Sequence, residues 1–172
     1  TEAQVLSEQL SHQASHDTLT GLANRHAFEH RLQRALESAR EQGAEHALFY
    51  LDLDQFKIIN DTCGHMAGDA MLRQLSQILQ MRVRKQDMLA RLGGDEFGVL
   101  VEHCSLRDAM GVANSLCKAV GEFHFAWGDK SFPVGVSIGV VPIDVYTESL
   151  GDVLSAADSA CYAAKDAGRN RA

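Results

Sequence analysis

The chain has 172 residues, of which 45% are hydrophobic and 23% charged, a composition typical of one soluble globular domain. Its net charge of -7 argues against a nucleic-acid surface, which needs a basic face, and no apolar run reaches the length of a membrane-spanning helix. The four cysteines form no CxxC pair, so neither a zinc ribbon nor a secreted disulfide framework is indicated. We therefore expect a cytoplasmic domain without membrane contact.

The N-terminal part of the chain predicts two helices. Residues 1–15 are typical of the end of a connecting helix, and we expect them to link a longer protein to a domain formed by residues 16–172. From Phe28 apolar side chains recur at helical spacing as far as Gly43, which predicts a helix with a glycine C-cap.

A buried strand that ends in acidic residues is predicted next. HALFYLDLD is a continuous apolar run closed by Asp52 and Asp54, which alternate with Leu53 and so share one face of the strand. After Asp69 the apolar residues again follow helical spacing, which predicts a further helix with Asp69 as its N-cap.

The second half of the chain predicts two hairpins and two helices. MLARL and FGVLV flank the tetrapeptide GGDE at 93–96, so two short strands are expected to meet at a turn with two carboxylates. After a helix over 106–120, FHFAW and FPVGVSIGVV are predicted as strands joined at Gly128 and Asp129. The last helix is expected to end at Gly168.

From Phe28 onward the predicted order of elements is α-β-α-β-β-α-β-β-α. Because two of the strand pairs are hairpins, we expect an α/β fold with a mixed, largely antiparallel central sheet covered by helices. The same argument excludes a doubly wound parallel sheet.

Two pairs of acids are candidate ligands for a hard cation. One pair, Asp52 with Asp54, ends a strand, and the other, Asp95 with Glu96, lies in a hairpin turn; Mg²⁺ prefers such carboxylate oxygens. Each pair alone is more typical of a solvated strand end or an ordinary turn than of a metal site. HAFEH at 26–30 fits the HxxEH zinc pattern, but eight histidines make a chance match easy, so no zinc site is expected.

Four segments, in order, resemble the GGDEF family of diguanylate cyclases. GGDEF itself stands at 93–97, DTLTGLANR at 17–25 resembles the family's opening motif, LDLDQFKIINDTCGHMAGD at 51–69 its metal-and-guanine segment, and AAKDAGRN at 163–170 its closing basic motif. The resemblance covers the chain from Asp17 onward. It implies a fold like that of nucleotide cyclases and the polymerase palm, and condensation of two GTP into cyclic di-GMP and pyrophosphate.

The resemblance also implies a role for individual residues. Two Mg²⁺ or Mn²⁺ ions per active site would be held by Asp52, the carbonyl of Leu53, Asp95 and Glu96, and the last two acids would be the catalytic ones. The implied substrate-binding residues are Asn60, Asp69 and His65 for guanine, Lys57, Lys165 and Arg169 for the triphosphate, and Phe56, Gly93 and Gly94 beside the nucleotide. From the residues alone, Lys165 and Arg169 are better explained as cations near a helix C-terminus, and the resemblance reverses that preference.

An RxxD motif precedes the GGDEF segment. Arg84 and Asp87 form it, and five residues separate Asp87 from Gly93, which is the spacing of the family's inhibitory product site. Exposed charges between a helix and a strand are also common. The resemblance implies feedback inhibition by cyclic di-GMP at this motif.

Alternatives to an active cyclase remain open at this point. NDTCGH resembles relatives that continue into an EAL phosphodiesterase domain, so the domain is alternatively a catalytically weak GTP- or cyclic di-GMP-binding module that regulates such a neighbour. A cyclase for other nucleotides is a third reading, against which Asn60 and Asp69 argue. One guanine pocket per chain implies a transient homodimer, because the stub from Val5 to Leu10 is too short to hold a stable coiled coil. A membrane anchor on the longer protein is left open.

Overall fold

The computed structural model describes residues 2–172, with the side chains of residues 10–13 outside the description. These residues form six helices and six strands: α1 Glu2–Ser15, α2 Arg25–Gln42, β1 His46–Leu53, α3 Phe56–Cys63, α4 His65–Gln80, β2 Met88–Gly93, β3 Glu96–Val101, α5 Leu106–Gly121, β4 His124–Trp127, β5 Lys130–Pro133, β6 Val136–Ile143 and α6 Leu150–Asp166. Within them, no helix has the length and apolar character needed to cross a membrane.

Four strands form the central sheet in the order β2-β3-β1-β6, and each neighbouring pair is antiparallel. The middle strand β1 pairs with β6 over its whole length, from His46 opposite Ile143 to Leu53 opposite Val136. Strands β4 and β5 form a separate two-stranded sheet. The α/β fold with a largely antiparallel sheet, predicted from the hairpins, is confirmed.

Side chains along β1 alternate between two hydrophobic cores, one on each face of the sheet. Leu48 and Tyr50 pack with α2 and α6, whereas Phe49, Leu51 and Leu53 join a larger core that includes residues of α4 and α5. By this alternation, Asp52 falls on the α6 face of the sheet.

The predicted helix ends agree with the structure in one case and differ in another. Gly43 caps α2 in the left-handed conformation at φ 68°, as expected. Asp69 is not an N-cap, because it lies inside α4, which begins at His65 after Gly64 turns the chain at φ 92°. The short helix α3, which ends at that glycine, was not predicted, since its eight residues are too few for a clear apolar repeat.

FPVGVSIGVV does not form one strand. The segment divides after Pro133, so that β5 stays with β4 and β6 enters the central sheet at Val136. Between them, the carbonyl of Gly135 accepts a hydrogen bond from the amide of Asp54 at 3.0 Å. Unbroken hydrophobicity did not reveal the division, because both strands pack against the same core.

We expect Gly139→Ala to lower the free energy of unfolding by about 1–3 kcal/mol, measured by urea denaturation. A Cβ at Gly139 in β6 would collide with the backbone of α6 at Ala157 and Cys161, and a helix backbone cannot turn aside as a side chain can. In the control Gly111→Ala, in α5, the new Cβ meets nothing within 4 Å. Stability there should stay equal or rise by up to about 1 kcal/mol. Equal behaviour of the two variants would contradict the close approach of α6.

Candidate functional site

The four residues expected to hold metal come together at one edge of the central sheet. Asp52, near the end of β1, lies opposite Glu96, the first residue of β3. The amide of Leu53 donates a hydrogen bond to the carbonyl of Asp95 at 3.2 Å. Antiparallel pairing of β1 with β3 therefore brings the strand-end acid and the acids of the GGDEF turn to one place.

The surroundings of Asp52 shift its pKa. Its pKa is raised to about 6, first by burial and then by the nearby carboxylate of Asp95, whereas Lys165 acts in the opposite direction. Lys165 Nζ lies 3.3 Å from Asp52 Oδ2. The other oxygen, Oδ1, is buried and has no hydrogen-bond partner within the described residues. An unsatisfied carboxylate beside a second carboxylate fits a bound cation.

Asp52, Asp95 and Glu96 lie together at this edge of the sheet and are here called the acidic rim. Glu96 differs from the other two acids because it is hydrogen-bonded to a tyrosine. The hydroxyl of Tyr50 donates a hydrogen bond to Glu96 Oε2 at 2.6 Å, and burial together with this bond raises the pKa of Tyr50. In the described part of the chain, no three His, Cys, Asp or Glu side chains are grouped so as to hold a metal ion. The donors at hand are thus the pair Asp52 and Asp95 with nearby backbone, and Mg²⁺ often uses only one or two carboxylates and completes its shell with phosphate and water.

The two glycines of the GGDEF turn are required by the backbone. Gly93 and Gly94 have φ of 144° and 49°, values that L side chains rarely adopt. The guanidinium of Arg91 holds this turn, since it donates to the carbonyl of Gly94 at 2.9 and 3.0 Å and to the carboxylate of Asp17 at 3.1 Å. Sequence reasoning missed Arg91, although a lone cation inside the apolar run MLARL was a usable signal.

The residues expected to bind guanine lie on α3 and α4. Asn60 of α3 packs so tightly against Gly68 of α4 that a Cβ there would collide with its amide, and the ring of Phe56 borders the same spot at 3.3 Å. Asn60 Oδ1 is buried without a hydrogen-bond partner in the described residues. Asp69 follows Gly68 directly, while His65 is exposed at the start of α4. A buried amide left unsatisfied in this way is suited to a polar ligand.

The predicted phosphate-binding cations occupy different surroundings. Lys165, in the last turn of α6, pairs with Asp52, so it lies directly at the acidic rim. Lys57 is exposed on α3, and Arg169 is exposed beyond the end of α6. Of the three cations, Lys165 is therefore the one that the described structure places at the acids, while Lys57 and Arg169 are exposed elsewhere.

Asp54 does not join the acids of the rim, contrary to the expected pairing with Asp52. It follows the end of β1, where one carboxylate oxygen accepts from the hydroxyl of Ser137 at 2.6 Å and the other from the amide of Asn170 at 2.9 Å. Both of its oxygens are therefore occupied by protein donors.

The RxxD motif borders a cavity of about 400 Å³. Arg84 donates from Nε and Nη2 to the two carboxylate oxygens of Asp87, each at 3.0 Å, and the side chain of Asp87 is fully buried. His16, Leu22 and Arg31 also line this cavity. Asp87 directly precedes β2 and the GGDEF turn follows it, so the two motifs lie at opposite ends of one strand.

Comparison with known proteins gives a consistent result. Residues 14–171 match the family model described as "Diguanylate cyclase, GGDEF domain". The chain is 45% identical over 171 residues to the probable diguanylate cyclase DgcE of Escherichia coli, and 41% identical over 174 residues to the cyclic di-GMP phosphodiesterase PdeB of Shewanella oneidensis. Both alignments cover 99% of this chain but only 16% and 20% of those proteins, so the chain spans a minor part of these relatives.

A solved structure shows the same architecture. The coiled coil and GGDEF domain of DgcB from Caulobacter crescentus, in complex with c-di-GMP, superposes with a TM-score of 0.91 at 31% identity. The match covers 99% of this chain and 90% of that one.

We expect Asp17→Ala to lower the free energy of unfolding by about 1–3 kcal/mol in thermal or urea denaturation, because it leaves the largely buried Arg91 without its carboxylate. The substitution also removes the acceptor of the backbone and hydroxyl bonds from Thr20. The matched control is Glu29→Ala, which breaks the more exposed ion pair with Arg25 and should change stability by less than about 0.5 kcal/mol. Equal losses in the two variants would show that the pair of Asp17 and Arg91 has no special weight.

Proposed function

Because the chain belongs to the GGDEF diguanylate cyclase family, we propose that it condenses two molecules of GTP into cyclic di-GMP and releases pyrophosphate. The observation that carries the proposal is the pairing of Asp52 with Asp95 beside the GGDEF turn, with Asp52 Oδ1 buried and unsatisfied among the described residues. This arrangement suits a cation-assisted phosphoryl-transfer site, and relatives of the chain carry the name diguanylate cyclase.

The proposed cofactor is Mg²⁺ or Mn²⁺, with two ions per active site. Asp52, the carbonyl of Leu53, Asp95 and Glu96 would hold them. When bound, the ions would neutralise phosphate charge and make the 3′-hydroxyl of GTP more acidic. The chain itself supplies orientation: the register of β1 with β3 fixes the acids, and the hydroxyl of Tyr50 fixes one oxygen of Glu96.

In the proposed reaction, the 3′-oxygen of one GTP attacks the α-phosphorus of the other, and the step then repeats in the opposite direction. In each step a new O–P bond forms while the bond to one pyrophosphate breaks, and Asp95 accepts the proton of the hydroxyl. Lys165 lies at the acidic rim, within reach of phosphates bound there, and Lys57 and Arg169 would add positive charge around the leaving pyrophosphate. Positioning and electrostatics would supply most of the acceleration.

Guanine recognition is assigned to the α3–α4 pair. The side-chain NH2 group of Asn60 would donate to O6 of guanine, and the carboxylate of Asp69 would accept from N1–H and N2–H. The buried Asn60 Oδ1 has no partner among the described residues, which leaves the side-chain amide suited to a polar ligand. Phe56 borders Asn60, and His65 and the backbone of Gly93 and Gly94 would complete the contacts. Adenine presents the opposite donors and acceptors at this edge, which favours GTP as substrate.

The symmetry of the product implies a dimer. One chain offers one acidic rim and one guanine site, whereas cyclic di-GMP contains two GMP units joined twice. Two protomers would face each other across a two-fold axis, each presenting its GTP to the other. We propose a transient homodimer for this reason, and Val5 and Leu6 of α1 remain exposed in the single chain.

Feedback inhibition is proposed at the cavity beside the RxxD motif. Arg84 is partly exposed at the cavity wall. Its Nε and Nη2 donate to the buried Asp87 and Nη2 also to the carbonyl of Glu102, so the remaining donors of the guanidinium would form charge-assisted bonds to a phosphate or a guanine. The proposed ligand is the product, cyclic di-GMP.

A second candidate is a regulatory module that binds GTP or cyclic di-GMP with little turnover. The 41% identity to a cyclic di-GMP phosphodiesterase favours this alternative, because the chain covers only a small part of that protein. In that case the site would control a neighbouring domain.

The decisive experiment incubates the purified protein with GTP and Mg²⁺ and resolves the products by chromatography. We expect cyclic di-GMP, with a rate that rises more steeply than linearly with enzyme concentration and vanishes with a metal chelator.

Asp95→Ala should reduce the rate of product formation about 100-fold or more, because it removes a proposed metal ligand. The variant should still fold, because the substitution relieves the repulsion between Asp95 and Asp52. The control Asp129→Ala alters an acid of the β4–β5 hairpin turn and should leave the rate unchanged. Full turnover in folded Asp95→Ala would refute the metal assignment, and binding without product would favour the regulatory module.

Arg84→Ala should weaken cyclic di-GMP binding roughly tenfold or more in calorimetry, since it removes a charged donor. It should also relieve inhibition of product formation. Arg82→Ala is the control, because this exposed neighbour does not line the cavity. Unchanged affinity in Arg84→Ala would place the inhibitory site elsewhere.

A further inference from the structure

The segment after α6 turns back onto the sheet through an unfavourable backbone conformation. Arg169 and Asn170 both have positive φ, 64° and 46°, and residues other than glycine rarely adopt such values. The segment 168–172, here called the tail, carries Arg169 at its bend. Two consecutive residues of this kind persist only where neighbouring groups hold them.

Asp54 supplies a central part of that support. Its Oδ2 accepts a hydrogen bond from the backbone N–H of Asn170 at 2.9 Å, and its Oδ1 accepts one from the hydroxyl of Ser137 at 2.6 Å. Ser137 is fully buried in β6, so the carboxylate is fixed on the sheet side before it binds the tail. Bonds to an ionised carboxylate are stronger than bonds to a neutral acceptor.

Further contacts show that the tail is fitted closely at this point. The amide of Ile138 donates to the carbonyl of Arg171 at 2.8 Å, which extends the pairing of β6 by one bond. A Cβ at Gly135 would lie 2.8 Å from Asp54 Oδ2 and 3.2 Å from Asn170 Cβ. Because residue 135 is a glycine, the side chain of Asp54 has room to reach the tail.

The end of β1 thus holds both ends of the segment 165–170. Asp52 pairs with Lys165 at the end of α6, and Asp54 binds the amide of Asn170. Arg169 lies directly beside the second anchor. In the sequence the two acids are spaced like a pair of metal ligands. In the structure, Asp52 binds Lys165 at the acidic rim, whereas Asp54 binds the tail.

A metal-binding role for Asp54 fits its surroundings less well. Both of its oxygens already accept bonds from protein donors, in contrast to Asp52, whose Oδ1 has no partner within the described residues. No cation pairs with Asp54 in the part of the chain that the structure describes, so N–H and O–H dipoles balance its charge. A cation would have to displace Ser137 or the tail.

We propose that Asp54 is a positioning residue that fixes the tail, so that Arg169 and the end of α6 present their cations to the triphosphate of bound GTP. Its part in GTP binding rests on the proposed cyclase function, whereas the anchoring of the tail does not. Asp54 touches neither substrate nor metal in this role. It acts through the backbone of Asn170.

The test compares Asp54→Ala with the control Asp129→Ala, an exposed acid of similar charge in the β4–β5 turn. Hydrogen exchange read by mass spectrometry should be at least tenfold faster over residues 168–172 in Asp54→Ala, and trypsin should cleave after Arg169 sooner. The control should match the parent protein in both measurements. Asp54→Asn keeps the shape and one acceptor and should show an intermediate loss, and it carries the test if the alanine variant does not fold.

GTP binding provides the second readout. Calorimetry with a non-reactive GTP analogue and Mg²⁺ should show at least fivefold weaker binding in Asp54→Ala. KM should rise more than kcat falls, since the cations that the tail positions bind the triphosphate already in the ground state. Faster tail exchange with unchanged GTP affinity would overturn the positioning role. Unchanged tail exchange would overturn the anchor itself. If the parent protein forms no cyclic di-GMP, the proposed activity fails, while the exchange and binding measurements still decide on Asp54.

Discussion

The antiparallel pairing of β1 with β3 and β6 governs where the functional side chains of this domain lie. Side chains alternate faces along a strand, so a slip of one residue would move Asp52 from the α6 face into the opposite core and carry Leu53 out of it. The observed register sets Asp52 opposite Glu96 and ties Leu53 to Asp95. Burial of β1 on both faces makes any other register costly.

The raised pKa of Asp52 makes the stability of the fold depend on pH. Burial and the neighbouring Asp95 raise the pKa of Asp52 to about 6, above its ordinary value, which means that the folded state favours the protonated acid. The contribution of Asp52 to stability is therefore largest at low pH and is lost as the pH rises through the folded-state pKa. Lys165 offsets part of this loss, and a bound cation would offset more. Sites that must bind cations commonly keep such destabilising groups.

Strand β2 joins three parts of the molecule that are separated in the sequence. Its first end follows Asp87 and the cavity beside the RxxD motif, and its other end enters the GGDEF turn, which Arg91 fastens to Asp17. The amide of Arg91 also donates to the carbonyl of Ala23, and Asn24 binds back to the end of α1. The N-terminal helix, the cavity and the turn are therefore attached to one short strand, although each lies in a different motif.

Local pattern determined much of this protein from its sequence. The apolar run before Asp52, the glycine turn at 93–96 and the repeats of α2, α5 and α6 were sufficient for the fold class, because each signal is contained within a few neighbouring residues. The motifs then led to the family.

Only the tertiary structure decided which residues work together. Asp52 and Asp54 look alike in the sequence, yet Asp52 lies half-buried beside Asp95 and pairs with Lys165, whereas Asp54 binds the backbone of Asn170. Arg91 and Asp17 are 74 residues apart, and nothing in either segment indicates their bond. Periodicity describes one segment at a time, whereas ion pairs, register and burial depend on which segments the folded sheet brings into contact.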